Sequence, residues 1–172
     1  MTHVHHSIPP VLEEDKVTGC CPVFHPEYYE SQIFDFSDLH FITSSTKSLA
    51  YVPLNMDKVF TKTQADIEAS GQAITDRYLI LSQDVSPFKC EHHFMTKGPV
   101  VHYDEKVIQG RYLAKVYDGD FKEMGKWHKD FSEALKAQGN PKPNIYTFYT
   151  TCPNCAKVYG HNYVVLFGEL EQ

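Results

Sequence analysis

The stretch LAYVPLNMD at residues 49–57 and the similar stretch LAKVYDGDF at residues 113–121 decide the predicted fold. Leu, Ala and Val recur at the same places in both. Each has the pattern of a strand that turns directly into a helix, so we interpret them as copies of one unit. The sequence thus predicts an α+β fold of two β-α-β-β repeats around a pseudo-twofold axis, with a mainly antiparallel sheet and two helices on one face.

The elements around these stretches follow from the spacing of apolar residues. Residues 56–70 and 121–138 place apolar side chains three or four positions apart, and Gly71 and Gly139 follow them, as is typical of helix ends. A first strand is predicted at 32–41 from alternating residues. Two further strands are predicted after each helix, at 78–81 and 91–95 and at 145–150 and 162–167.

The length of 172 residues indicates one domain. Residues 1–18, with a Pro-Pro pair and an acidic run, are predicted to be a flexible leader. Residues 19–172 then form the duplicated domain, with halves at about 45–97 and 108–170. The sheet face opposite the helices is expected to leave a cleft for a small molecule between the halves.

Composition excludes several classes of partner. The net charge is −6 and the 16 basic residues are scattered, which argues against nucleic-acid binding. No apolar run approaches the roughly 18 residues that span a bilayer, and the first ten residues do not have the pattern of a secretory signal. A cytoplasmic monomer or homodimer is expected. The five cysteines do not suggest a disulfide framework.

The segment 112–127 resembles the GyrI-like effector-binding family. That family shows an apolar strand, a Gly, an aromatic residue and a further aromatic one turn into a helix, which correspond to Val116, Gly119, Phe121 and Trp127. Tyr117 stands where the family usually has His. The resemblance implies binding of hydrophobic, often cationic, drug-like molecules, and in some relatives hydrolysis of reactive ones.

Two cysteine-rich motifs are similar to those of stand-alone bacterial members of that family, which are often labelled hydrolases. They are CCPVFHP at residues 20–26 and TCPNCAKVYG at residues 151–160. The label itself assigns no mechanism to particular residues. The chain shows no Ser-centred elbow, phosphate-binding Gly loop, dinucleotide fingerprint or HExxH motif.

The cysteines in these motifs are the candidate metal ligands. Cys152 and Cys155 form a Cys-Pro-x-Cys turn, which presents two thiolates to one tetrahedral ion. Cys20 and Cys21 are the other predicted ligands, for one structural zinc ion. Because neighbouring side chains point apart in an extended chain, we expect only one of this adjacent pair to bind the same ion. His25 or His161 is then the fourth ligand.

The same cysteines leave other interpretations open. A thiol-redox pair requires the Cys-x-x-Cys turn to begin a helix after a strand. Cys152 is alternatively a nucleophile activated by His161 or His25, or the thiols simply close a hairpin loop. A zinc ion with an open position would activate water for hydrolysis.

Aromatic strand residues and one carboxylate are the candidate ligand-binding residues. Glu91 is the expected anion for a cationic ligand, and Glu91 and Tyr117 are the candidate catalytic residues. The first predicted function is sequestration of a hydrophobic or cationic small molecule; the alternatives are hydrolysis of a small reactive compound and thiol-redox chemistry. The full candidate set is Tyr51, Glu91, Tyr112, Tyr117, Trp127, Tyr146 and Phe148.

Overall fold

The computed structural model describes residues 3–50 and 52–170. Within these residues the chain forms eight strands and three α-helices, together with three short 3-10 turns. The chain divides into a central unit, residues 38–108, and a terminal unit, residues 1–37 and 109–172. The elements are β1 (Val4–His5), β2 (Ile33–Leu49), β3 (Val52–Pro53), α1 (Met56–Ala69), β4 (Ile80–Ser86), β5 (Lys89–Met95), β6 (Asp104–Asp118), α2 (Met124–Ala137), β7 (Ile145–Tyr149), α3 (Pro153–Tyr159) and β8 (Tyr163–Glu169).

In the central unit, helix α1 covers one face of three antiparallel strands. Strand β5 lies between β2 and β4 and pairs with both. Ile67 on the helix packs with Ile42, Ile80 and Phe94 on the strands. The helix presents this side because its apolar residues recur at helical spacing, and burying them drives the contact.

In the terminal unit, helix α2 covers strands β7 and β8. Strand β8 pairs antiparallel with β7 on one side and with β6 on the other. Trp127, Phe131 and Leu135 are buried along one side of the helix, against Val164 and Leu166. The two cores are therefore built in the same way, each from an amphipathic helix on antiparallel strands.

The prediction of two β-α-β-β repeats around a pseudo-twofold axis is wrong. The two similar stretches adopt different structures: Leu49 is the last residue of β2 and Ala50 lies in a turn with φ of 49°, whereas Leu113 to Val116 lie inside β6. Among the described residues, strands take up more of the chain than helices do. Strand β2 of 17 residues and β6 of 15 residues each include residues of both units. The units therefore do not coincide with the halves 45–97 and 108–170.

The terminal unit also includes elements without an equivalent in the described part of the central unit. Helix α3 lies between β7 and β8, and β1 pairs parallel with the start of β2. Both belong to segments outside the matching stretches. Three identical residues do not determine strand length or pairing, which is why the short match misled the prediction.

Residues 4–18, expected to be a flexible leader, include β1 and two buried side chains. Ile8 is 2% exposed and Asp15 is 7% exposed. The Asp15 backbone carbonyl accepts a hydrogen bond from the Val23 amide at 2.9 Å. In the described region, no helix has the length and apolar character required to cross a membrane.

Gly168 lies where β8 passes beneath α2, and we expect Gly168→Ala to lower the free energy of unfolding by about 1–3 kcal/mol. A Cβ atom at this position would lie 2.3 Å from Leu135 Cδ1 and 2.7 Å from Phe131 Cε2. Urea unfolding would measure the loss. The matched control is Gly125→Ala within α2, where a Cβ meets no atom within 4 Å; it is expected to stabilise the protein by about 0.5–1 kcal/mol. An equal response of both variants would contradict the packing argument.

Candidate metal centre

A short helix, α3, contains one of the five cysteines and is capped by another. Cys152 has extended backbone angles and caps α3, in which Pro153 is the first residue. The Cys155 amide donates a hydrogen bond to Cys152 Sγ at 3.5 Å. Gly160 ends the helix with a φ of 74°, a conformation that glycine adopts without strain. The Cys-Pro-x-Cys turn therefore brings both thiols to one side.

The other two cysteines lie in a bend near the start of the chain. Residues 17–21 are bent rather than extended, and Gly19 has a φ of 71°. In an extended chain, neighbouring side chains point to opposite sides. The bend removes this alternation, so the sulfurs of Cys20 and Cys21 can both point toward Cys152. The Cys152 amide donates to Cys21 Sγ at 3.2 Å.

All four sulfurs meet in one cluster. The Sγ atoms of Cys20, Cys21, Cys152 and Cys155 lie within 4.8 Å of one another. Cys20 Sγ is 3.8 Å from Cys21 Sγ and 3.9 Å from Cys152 Sγ. The expectation that only one of the adjacent pair would belong to the site is therefore wrong, because the bend replaces the extended backbone on which it rested.

The two histidines considered as a fourth ligand contact carboxylates instead. His25 Nε2 lies 2.8 Å from Asp15 Oδ1, and His161 Nδ1 lies 2.8 Å from Asp118 Oδ2. Among the described residues, the side chains close enough to share one metal ion at this place are the four cysteines, without either histidine. The donor set is thus four sulfurs.

Two hydroxyl groups lie beside the cluster, and neither was predicted from the sequence. Thr18 Oγ1 lies 3.4 Å from Cys155 Sγ and 3.3 Å from the Tyr159 hydroxyl, and it accepts a hydrogen bond from the Cys20 amide at 3.2 Å. The Tyr159 hydroxyl donates to the Cys21 carbonyl at 2.6 Å. The sequence signal that could have identified Thr18 and Tyr159 is their position next to or within the two cysteine motifs. These bonds connect the bend to α3 around the sulfurs.

The thiols differ in their acidity. Burial is the main cause that raises the pKa of Cys20 and of Cys21, and the neighbouring Cys152 thiol contributes to the rise in both. Burial also acts to raise the pKa of Cys155, but hydrogen bonds from Thr18, Cys21 and Cys152 outweigh it and lower that pKa to about 7. Four thiolates this close would repel one another. A cation that binds between the sulfurs would remove this repulsion, so the thiols would lose their protons when it binds.

Three predicted ligand-binding aromatics lie in a packed aromatic core of the terminal unit. Tyr112, Tyr146 and Phe148 are each 2% exposed. The Tyr112 ring lies 6.0 Å from that of Tyr146, and the Phe148 ring lies 6.2 Å from that of Tyr29 and 6.4 Å from that of Phe24. In this unit the strand face opposite α2 is therefore covered by aromatic side chains from the start of the chain.

Tyr117 and Trp127 lie on the helix side of the same strands. Their rings stack with centroids 5.2 Å apart and an interplanar angle of 19°. Burial raises the pKa of Tyr117, with smaller contributions from Asp130 and Glu30. Tyr51, also predicted to bind ligand, lies outside the described residues.

Glu91 lies in the central unit, on the strand face opposite α1. It is half-buried in β5, directly between Ser45 of β2 and Gln83 of β4. Two residues along β5, His93 shares this face and is 2% exposed; its Nδ1 lies 2.8 Å from Thr43 Oγ1. Glu91 thus belongs to a polar strand face within one unit.

Comparison with known proteins identifies the family of this chain. No curated protein matches the chain. A family model described as bacterial hydrolase matches residues 11–170, a range that includes both pairs of clustered cysteines. Because this match spans most of the sequence, the chain belongs to the bacterial hydrolase family.

Proposed function

We propose that this protein binds one Zn²⁺ ion through Cys20, Cys21, Cys152 and Cys155, and that the ion is structural. The observation that carries the proposal is the convergence of four sulfurs within 4.8 Å of one another. Four ionised sulfurs at this distance repel one another, and a bound cation removes that repulsion.

The spacing of the sulfurs supports zinc. A Zn–S bond of about 2.3 Å in a tetrahedron places sulfurs about 3.8 Å apart. Cys20 Sγ lies 3.8 Å and 3.9 Å from the sulfurs of Cys21 and Cys152. Amide groups donate to two of the sulfurs, an arrangement that orients thiolates toward a metal ion. The thiols stay reduced in the cytosol, the compartment expected from the sequence.

A structural role follows from the number of ligands. Catalytic zinc sites use three protein ligands and leave one position for water, whereas four thiolates fill the tetrahedron. The ion would fasten the bend at residues 17–21 to α3, which is far away in sequence. Closing so long a loop stabilises the folded chain, since the metal binds only when the ligands are assembled.

Metal analysis of the purified protein tests the proposal. We expect one zinc ion per chain, retained through dialysis against a chelator. Cys152→Ser and Cys155→Ser should each lose stoichiometric zinc. Cys90→Ser is the matched control, because Cys90 is a buried cysteine of β5 outside the cluster, and it should keep its zinc. Zinc-free wild-type protein after growth with added zinc would refute the site.

A second proposal concerns a small-molecule site in the central unit, for binding or hydrolysis of a hydrophobic or cationic compound. The resemblance of segment 112–127 to GyrI-like effector-binding proteins motivates the class of ligand only, because that segment lies in the terminal unit. The half-buried carboxylate of Glu91 on its polar strand face favours the central unit as the place of the site. A buried or half-buried anion attracts a cation more strongly than one in water does.

We expect a lipophilic cation from a broad panel to raise the melting temperature of the wild-type protein, as mass action requires of a ligand. Glu91→Gln should reduce the shift for cationic compounds. Glu105→Gln is a control, since Glu105 lies in the same unit but is exposed and pairs with His40. No shift with any compound would reject binding, and turnover that survives Glu91→Gln would reject a catalytic role of that carboxylate.

A further inference from the structure

The four clustered cysteines differ in their access to solvent. Cys20 is exposed, Cys21 and Cys152 are half-buried, and Cys155 is buried. A metal ion keeps its thiol ligands deprotonated, so a bound Cys20 would be an accessible thiolate. Accessible thiolates are the cysteines that hydroperoxides oxidise first. We infer that Cys20 is an oxidation site and that its disulfide with Cys152 expels the metal ion; this inference rests on the proposed zinc site.

Geometry selects Cys152 as the partner of Cys20. The two sulfurs are 3.9 Å apart, so a small movement brings them to bonding distance. Cys21 is as close, at 3.8 Å, but it is the next residue. Adjacent Cα atoms are about 3.8 Å apart across a trans peptide, below the range of about 4.4–6.8 Å that disulfides span. A bond between Cys20 and Cys21 would therefore be strained.

The chemistry balances with a hydroperoxide as the oxidant. The Cys20 thiolate attacks the terminal peroxide oxygen and the O–O bond breaks, so that Cys20 becomes a sulfenic acid. The other peroxide oxygen leaves as hydroxide or alkoxide and takes up a proton. The Cys152 thiolate then attacks the Cys20 sulfur and expels hydroxide, which takes a proton to form water. With hydrogen peroxide, two thiolates lose two electrons in total, and two protons and one peroxide become two water molecules.

Loss of the metal follows from this step. Only Cys21 and Cys155 would remain as thiolates, and two ligands do not hold a structural zinc ion. The new disulfide joins the bend to the start of α3, the same two segments that the ion had fastened. Oxidation would thus exchange a metal cross-link for a covalent one and release zinc.

The test treats zinc-loaded protein with hydrogen peroxide, follows zinc release with a chromogenic chelator, and maps the disulfide by mass spectrometry. Free thiols are alkylated before trypsin digestion. Cys20 and Cys21 fall in the peptide 17–47, and Cys152 and Cys155 fall in the peptide 137–157, because the Lys142–Pro143 bond resists cleavage. We expect one zinc released per chain and a cross-link of these peptides with Cys21 and Cys155 alkylated.

Two variants test whether Cys20 is the oxidised residue. Cys20→Ser also removes a proposed zinc ligand, so it is followed by disulfide mapping alone. It should show no cross-link between peptides 17–47 and 137–157 after peroxide treatment. Cys90→Ser should behave like the wild type. Zinc that stays bound under the same treatment, or a disulfide between Cys152 and Cys155 in place of the expected one, overturns the inference. If untreated protein holds no zinc, the proposed function fails on its own, while mapping of the metal-free protein still decides whether Cys20 and Cys152 pair.

Discussion

Zinc-loaded protein is expected to be more stable than metal-free protein by about 4 kcal/mol when free zinc is a thousand times its Kd. The reason is that the four sulfurs, within 4.8 Å of one another, come together only in the folded chain. Binding free energy at such a site is therefore folding free energy. Urea unfolding of the loaded protein at that free zinc concentration, and of chelator-treated protein without free zinc, would measure the difference.

Two variants serve as controls for this effect. Cys155→Ser removes a buried ligand and should make unfolding independent of zinc. Cys90→Ser also alters a buried cysteine, but one outside the cluster, and should keep the full zinc-dependent gain. Identical unfolding curves for loaded and metal-free wild type would show that the four thiols do not form a stabilising site.

Acid is expected to destabilise the fold between about pH 6.5 and pH 4 because of two buried histidines. His92 is 0% exposed and lies between two hydroxyls, with Nδ1 2.6 Å from Ser82 Oγ and Nε2 2.8 Å from Thr46 Oγ1. Burial, then the neighbouring His93, lowers the pKa of His92 to about 4. Burial, then Lys106, lowers the pKa of His93 to about 4 as well.

The sign of the effect follows from these values. An unfolded histidine takes up a proton near pH 6.5, whereas the folded rings stay neutral until about pH 4. Acid therefore stabilises the unfolded chain, and each histidine should reduce the free energy of unfolding by about 2 kcal/mol at pH 5 and about 3 kcal/mol at pH 4. The full stability contribution is present above pH 6.5.

Denaturant titrations between pH 7 and pH 5 would measure this loss, on metal-free protein so that proton-driven release of zinc does not contribute. His92→Gln should be less stable at pH 7 but lose about half as much stability on acidification. His6→Gln is the control, because His6 is exposed, and it should follow the wild-type profile. A wild-type stability that does not change from pH 7 to pH 5 would contradict buried neutral rings.

The helices were the most predictable part of the fold. Apolar residues three or four positions apart predicted helices at 56–70 and 121–138, and the structure has α1 at Met56–Ala69 and α2 at Met124–Ala137. The second prediction began too early, because residues 121–123 form a separate 3-10 turn. Helical spacing is a local signal, since neighbouring turns of one segment create it.

Strand pairing was less predictable because partners lie far apart in sequence. The alternation around residues 32–41 indicated a strand but not that β2 runs from Ile33 to Leu49. The identity between residues 49–50 and 113–114 suggested a repeat, although one copy ends a strand and the other lies inside one. Pairing depends on long-range contacts that a short match does not encode.

The cysteine cluster was predictable from motif chemistry, but its exact ligand set was not. Two cysteine motifs with turn residues indicated a shared metal site. The choice between Cys20, Cys21 and a histidine depended on whether the backbone there was extended, and the left-handed conformation of Gly19 belongs to a bend. The carboxylate partners of His25 and His161 likewise come from distant residues, 10 or 43 positions away.

The aromatic cover that Phe24 and Tyr29 provide for Phe148 has a practical consequence for anyone shortening this protein. Truncation of the first thirty or so residues is a common step when the start of a chain is thought to be dispensable. Here it would remove Phe24 and Tyr29 and leave the Phe148 ring facing water. It would also delete two of the four clustered cysteines. Such a shortened version should aggregate on expression rather than crystallise more readily.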